Sequence, residues 1–176
     1  MNLRKYLLVG LIILLILSTV IIISLLLFNK GSVKPSTEFS EFIRSGNLND
    51  LSLTIYYLSP TILTRQPVSE ADLADGKFEY RVTIYGSRLV EHIDLLNQID
   101  NTVLIPVEHE SRMNARLYYV FETKKNGKLF SVSMWGKDNS IFVNGIEVQE
   151  SDIFYDVAKS FLPDDAVKEL ETYLNQ

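Results

Sequence analysis

The only two histidines of the chain both lie among carboxylates, in Glu91-His92-x-Asp94 and Glu108-His109-Glu110. An imidazole beside a carboxylate can ligate a metal, act as a base or sense pH. Neither spacing completes that chemistry. Side chains at successive positions of an extended segment point apart, so Glu108, His109 and Glu110 do not converge on one ion. They read as a solvated loop. Metal pairs on a helix need i,i+3 or i,i+4 spacing, and Glu91 with Asp94 brings no second imidazole. That group reads as an exposed helix face.

Nucleophilic chemistry has no better footing. Serines are plentiful, but no Gly-x-Ser-x-Gly elbow presents one. The eight glycines are isolated, so no glycine-rich loop cradles a phosphate. The acid pairs Asp72/Asp75 and Glu147/Glu150 fall in turns or near helix starts, where capping accounts for them. We therefore expect no catalytic residue, no metal and no cofactor.

Composition narrows the partner classes. Residues 31–176 carry all 22 acidic residues and 14 of the 17 basic ones, a net charge of −8. An acidic domain is unsuited to nucleic acid, which needs clustered Lys and Arg to neutralise phosphates. It is equally unsuited to a polybasic grip on anionic lipid. The absence of cysteine removes disulfides, thiol catalysis and zinc-thiolate sites together. No Asn-x-Ser/Thr sequon is present.

The elements that would hold any site begin with an anchor. Tyr6 to Phe28 is a run of 23 residues without charge or proline. As a helix it spans roughly 35 Å, enough for a hydrocarbon core of about 30 Å. It is longer than the apolar part of a cleavable signal and has no Ala-x-Ala site. An uncleaved signal anchor is the expectation. Arg4 and Lys5 precede it and Lys30 and Lys34 follow it. The expected arrangement is residues 1–5 in the cytoplasm, 6–28 across the membrane, 29–36 as a linker and 37–176 outside the cell. No Gly-xxx-Gly helix-dimer motif occurs in the span.

Beyond the linker, periodicity gives an α+β reading: an antiparallel sheet of about five strands, covered on one face by amphipathic helices. Expected strands are 51–57, 78–85, 115–123, 128–135, 141–143 and 146–148, with a further short edge strand around 62–64. Asn126-Gly127 and Asn144-Gly145 supply the positive φ of type I′ hairpins. Expected helices are 37–45, a turn opened by the Ser69-x-x-Asp72 capping box, 86–99, 152–161 and 164–174. The ending, Phe142-Val143-Asn144-Gly145 followed by a helix rich in Phe and Tyr, resembles domains of membrane-anchored or lipoprotein-type envelope proteins of Gram-positive bacteria. That resemblance covers about the last third and implies no particular activity. The acylated cysteine of the lipoprotein members is missing, and the apolar run stands in its place.

With apolar strand residues facing the helices, the other face collects Thr54, Tyr56, Glu79, Arg81, Thr83, Tyr85, Arg116, Tyr118, Glu122, Ser131, Ser133 and Trp135. Tyr, Trp and Arg concentrate binding energy at interfaces. Tyr56, Arg81, Tyr85, Arg116, Tyr118 and Trp135 are therefore the candidate ligand- or partner-binding residues. The same types also pair across the wet face of an ordinary sheet. The expected function is a single-pass binding, adaptor or sensor module that meets a protein or envelope polymer near the bilayer. The alternatives are a small cell-envelope hydrolase and a passive subunit of a membrane complex.

Overall fold

The structure, a computed structural model, describes residues 35–46, 48–100, 102–108, 111–135 and 140–174, all within the compact unit Lys34–Gln176. The 6–28 segment lies outside them. Among the described residues no helix is long and apolar enough to cross a membrane.

Helix α1 (Pro35–Arg44) begins with proline in its first turn, where a missing N–H costs nothing. A 3-10 turn (Leu48–Asp50) leads into β1 (Leu51–Tyr57). The long connection that follows holds α2 (Glu70–Ala74), opened by the expected capping box. Ser69 Oγ accepts from Asp72 N, and the Asp72 carboxylate accepts from Ser69 N at 3.0 Å. Strand β2 (Tyr80–Tyr85) runs into α3 (Gly86–Val90) and α4 (Ile93–Leu96). Then come β3 (Leu117–Thr123), β4 (Gly127–Trp135), β5 (Ser140–Val143), β6 (Ile146–Val148), α5 (Ile153–Lys159) and α6 (Asp164–Leu174).

The fold is α+β, with a six-stranded sheet in the order β2-β1-β3-β4-β5-β6. Every neighbouring pair is antiparallel. Alternation puts Leu53, Ile55, Tyr57, Tyr119, Phe121, Phe130, Val132 and Ile141 on one face, where they are buried with Phe39, Phe154, Val157 and Leu170 of the helices. Phe39 of α1 stacks on Phe130 at 4.5 Å. At the end of β1, Tyr57 OH donates to Glu169 Oε2 at 2.9 Å and Ser59 Oγ donates to Oε1, which ties α6 to the sheet.

Several local expectations change. The six strands fall at the six expected spans, but residues 62–64 form no strand; a turn at 60–61 precedes them, with Ile62 N donating to Ser59 O at 3.1 Å. The expected helix 86–99 breaks at His92, whose φ of −114° and ψ of 19° interrupt it. The His92 ring there packs edge-on against Phe161 at 4.6 Å. Asn144 and Gly145 both take positive φ, as a type I′ turn requires. At the first hairpin only Gly127 does; Thr123 pairs with Gly127 around a longer loop, and Asn126 N donates to Thr123 Oγ1.

Candidate functional site

The second face of the sheet is where the candidate residues gather, and much of it is covered. The connection after β1 folds back over it. Leu58, Val68 and Leu73 pack there with Ala115, Tyr118, Val120 and Tyr56 in a second, smaller buried cluster. Two hydrogen bonds hold the cover in place: Ala115 N donates to Val68 O at 2.8 Å, and Val68 N donates to the Asn114 side-chain Oδ1 at 2.9 Å. The expectation of helices on one face and an open polar face on the other is thus corrected. Apolar area buried under the connection, about 25 cal/mol per Å² removed from water, offsets the conformational entropy lost in ordering it.

Three of the six candidate residues lie under this cover. Tyr56 is 8 % exposed, Tyr118 7 % and Arg116 6 %. The two tyrosines stack at 5.7 Å, and Phe78 tilts against Tyr56 at the same distance. Burial, reinforced by Glu70, raises the Tyr118 phenol well above its ordinary value. Arg116 Nη2 donates to Thr64 Oγ1 at 3.1 Å, and desolvation lowers the guanidinium pKa. Ser133 Oγ donates to Glu70 Oε1 at 2.9 Å, so α2 is also pinned by polar contacts.

Two candidates stay outside. Arg81 is exposed, its guanidinium 5.5 Å from the Tyr56 ring centre. Tyr85 is 65 % exposed, and Thr83 between them meets Thr54 hydroxyl to hydroxyl at 3.2 Å. All three belong to β2, which pairs with β1 alone among the described residues. Trp135 closes β4, and its side chain lies outside the described residues.

The other chemistry-bearing groups disperse. His109 lies outside the described residues. The Asp72 carboxylate is held far below its ordinary range by Lys77 and the Ser69 cap. Glu147 is buried and accepts from Ser111 N. No group of three His, Cys, Asp or Glu among the described residues could hold a metal ion.

Two features escaped the sequence reading. An open cleft of about 500 Å³ is lined in part by Asp100, Asp152 and Asp156. Asp100 accepts from Thr102 N and Oγ1 at 2.8 and 2.6 Å, and Asp156 pairs with Lys159 at 3.1 Å. The Asp100 and Asp156 carboxylates thus already have partners within the fold. The second feature is the closure of the far sheet edge. Pro106 bridges Val148, Val107 N donates to Glu147 O at 3.2 Å, and Gln149 N donates to Ile105 O at 2.8 Å. No periodic signal joins residues 105–107 to β6.

No family model, curated protein or solved structure matches this chain.

Proposed function

We propose that this chain is a single-pass, membrane-anchored extracytoplasmic binding or adaptor module, with its contact region on the β2 rim. The observation that carries the reading is the uncharged run from Tyr6 to Phe28, followed by an acidic domain after only a few polar residues. An eight-residue linker reaches at most about 28 Å, so a partner would be a membrane or near-membrane species. Within the domain, Arg81 and Tyr85 combine the right residue types with exposure. Tyr56 lies under the Arg81 guanidinium and stacks on Tyr118, while Arg116 binds Thr64 of the cover, so these three are the supporting layer rather than the contact.

Two measurements test this. Carbonate extraction of the full chain should leave it in the membrane, with the C-terminal domain protease-accessible from outside the cell. Release of the intact chain by carbonate would remove the anchor. A photoreactive group at Tyr85 should capture one discrete species in native membranes, while the same group at Glu91 should not. Equal labelling from both positions would remove the β2 rim as the contact.

A further inference from the structure

The edge strand β2 is six residues long and contains neither proline nor lysine. Unpaired strands of that kind invite another strand, and proteins normally blunt them. The main-chain pattern shows which groups are offered. Leu58 N donates to Arg116 O in the β1–β3 register, so the even-numbered residues of β1 bond to β3. Bonding alternates along an antiparallel pair, so the odd-numbered residues bond to Tyr80, Val82 and Ile84 of β2. Arg81, Thr83 and Tyr85 therefore direct their N–H groups to the edge that pairs with no strand among the described residues.

We propose that this edge pairs with β2 of a second copy of the chain, antiparallel about Thr83, to make one sheet across two molecules. The register follows from the side chains. Centred on Thr83, each Arg81 lies opposite Tyr85 of the second copy, cation against ring, and this happens twice. Val82 lies opposite Ile84 on the apolar face. The Thr54–Thr83 hydroxyl contact continues into the Thr83 of the other molecule. Centring on Arg81 would oppose two like charges. Centring on Val82 would leave Tyr85 against Glu79. A single strand pair is a small interface. Confinement of both copies to one membrane raises their effective concentration, and to that extent the pairing rests on the anchored reading. The net charge of −8 on residues 31–176 opposes approach only within the screening length, about 8 Å at physiological ionic strength.

The chain has no cysteine, so Thr83→Cys introduces a unique thiol. Directly opposed hydrogen-bonded residues of an antiparallel pair have Cα atoms about 5.5 Å apart, within disulfide reach. Full-length Thr83→Cys in membranes should form a covalent dimer on mild oxidation, and Glu91→Cys should not. Adding Tyr85→Arg, which sets arginine against arginine, should cut the dimer yield roughly fivefold, and adding Arg81→Tyr to that should restore it. Absence of the dimer from folded, membrane-held Thr83→Cys would overturn the pairing, as would equal yields from both thiols. A Thr83 adduct with a different protein would also overturn it while leaving the binding-module reading intact. Carbonate release of the chain would instead count against the anchor.

Discussion

At the β6 edge, three residues of strand are closed by residues 105–107, by a proline without a donor, and by a buried carboxylate that accepts from Ser111 N. At the β2 edge, six residues run beside β1 with Arg81 and Tyr85 in solvent and no pairing strand among the described residues. One sheet thus ends in two ways. The closed edge puts its polar groups into internal bonds, so its chemistry contributes to stability. The open edge leaves them unspent, so its chemistry is available for association.

The sharpest way to break this contrast is at the joint where β2 turns into α3. A Cβ on Gly86 would lie 2.0 Å from Leu48 O, a main-chain atom that cannot swing aside. Gly86→Ala should cost about 3 kcal/mol, at the upper end of overpacking effects, read as a lower urea midpoint at unchanged m. An unaltered midpoint would mean that β2 is not held by this packing and that its edge has no fixed geometry to offer.

Next in size is Glu147 at the closed edge. Glu147→Ala removes a carboxylate only 6 % exposed, together with the bond it accepts from the exposed Ser111 N–H. A loss of about 2 kcal/mol is expected. Hydrogen exchange at Val107 and Gln149 should accelerate with it, because these N–H groups hold the same closure. If exchange there stays slow, the closure does not depend on the carboxylate.

Between the edges, pH reads the shared core. Tyr57, Tyr119 and Tyr155 have phenols raised above the ordinary value of 10.0, in each case first by burial, and Tyr155 is pushed up to about 12. A raised folded pKa contributes stability that is complete below pH 10 and is lost as pH rises through the folded values. Urea midpoints should fall over that alkaline window. Tyr119 OH is buried without a hydrogen-bond partner among the described residues. Tyr119→Phe should therefore be near neutral at pH 7 and should flatten the alkaline fall. An equally steep fall in Tyr119→Phe would assign the effect to other groups.

The two regions also differ in how far they could be read from residues alone. Glu79, Arg81 and Thr83 alternate with Tyr80, Val82 and Ile84, and that period marks β2 as one-sided and half exposed. Asn144-Gly145 fixes the β5–β6 turn by the same kind of local rule. The cover over the second face has no period. Pro60, Pro67 and a five-residue helix give only local punctuation, and what they lie against is decided by contacts far along the chain. A signal was nonetheless present in β3. Leu117-Tyr118-Tyr119-Val120-Phe121 is a continuous apolar and aromatic run, which is how a strand buried on both faces reads. Tyr118 is polar by type, and its apolar neighbours are what mark it as buried. The 105–107 closure had no comparable signal, because it is a bridge between segments some 40 residues apart.

The smallest expected effect on stability is also the most discriminating. Tyr85 is 65 % exposed and packs into neither buried cluster, so Tyr85→Ala should change folding stability by no more than about 0.5 kcal/mol. The same substitution removes the ring that would face Arg81 of a second copy, so Thr83→Cys dimer yield should fall while the urea midpoint holds. At the closed edge the order reverses: Val148 is 2 % exposed, and Val148→Ala should lower the midpoint without touching the dimer. If Tyr85→Ala and Val148→Ala moved both readouts together, the two edges would not be separable into one that stabilises and one that associates. A midpoint shift from Tyr85 alone would place its ring in the fold rather than at a contact.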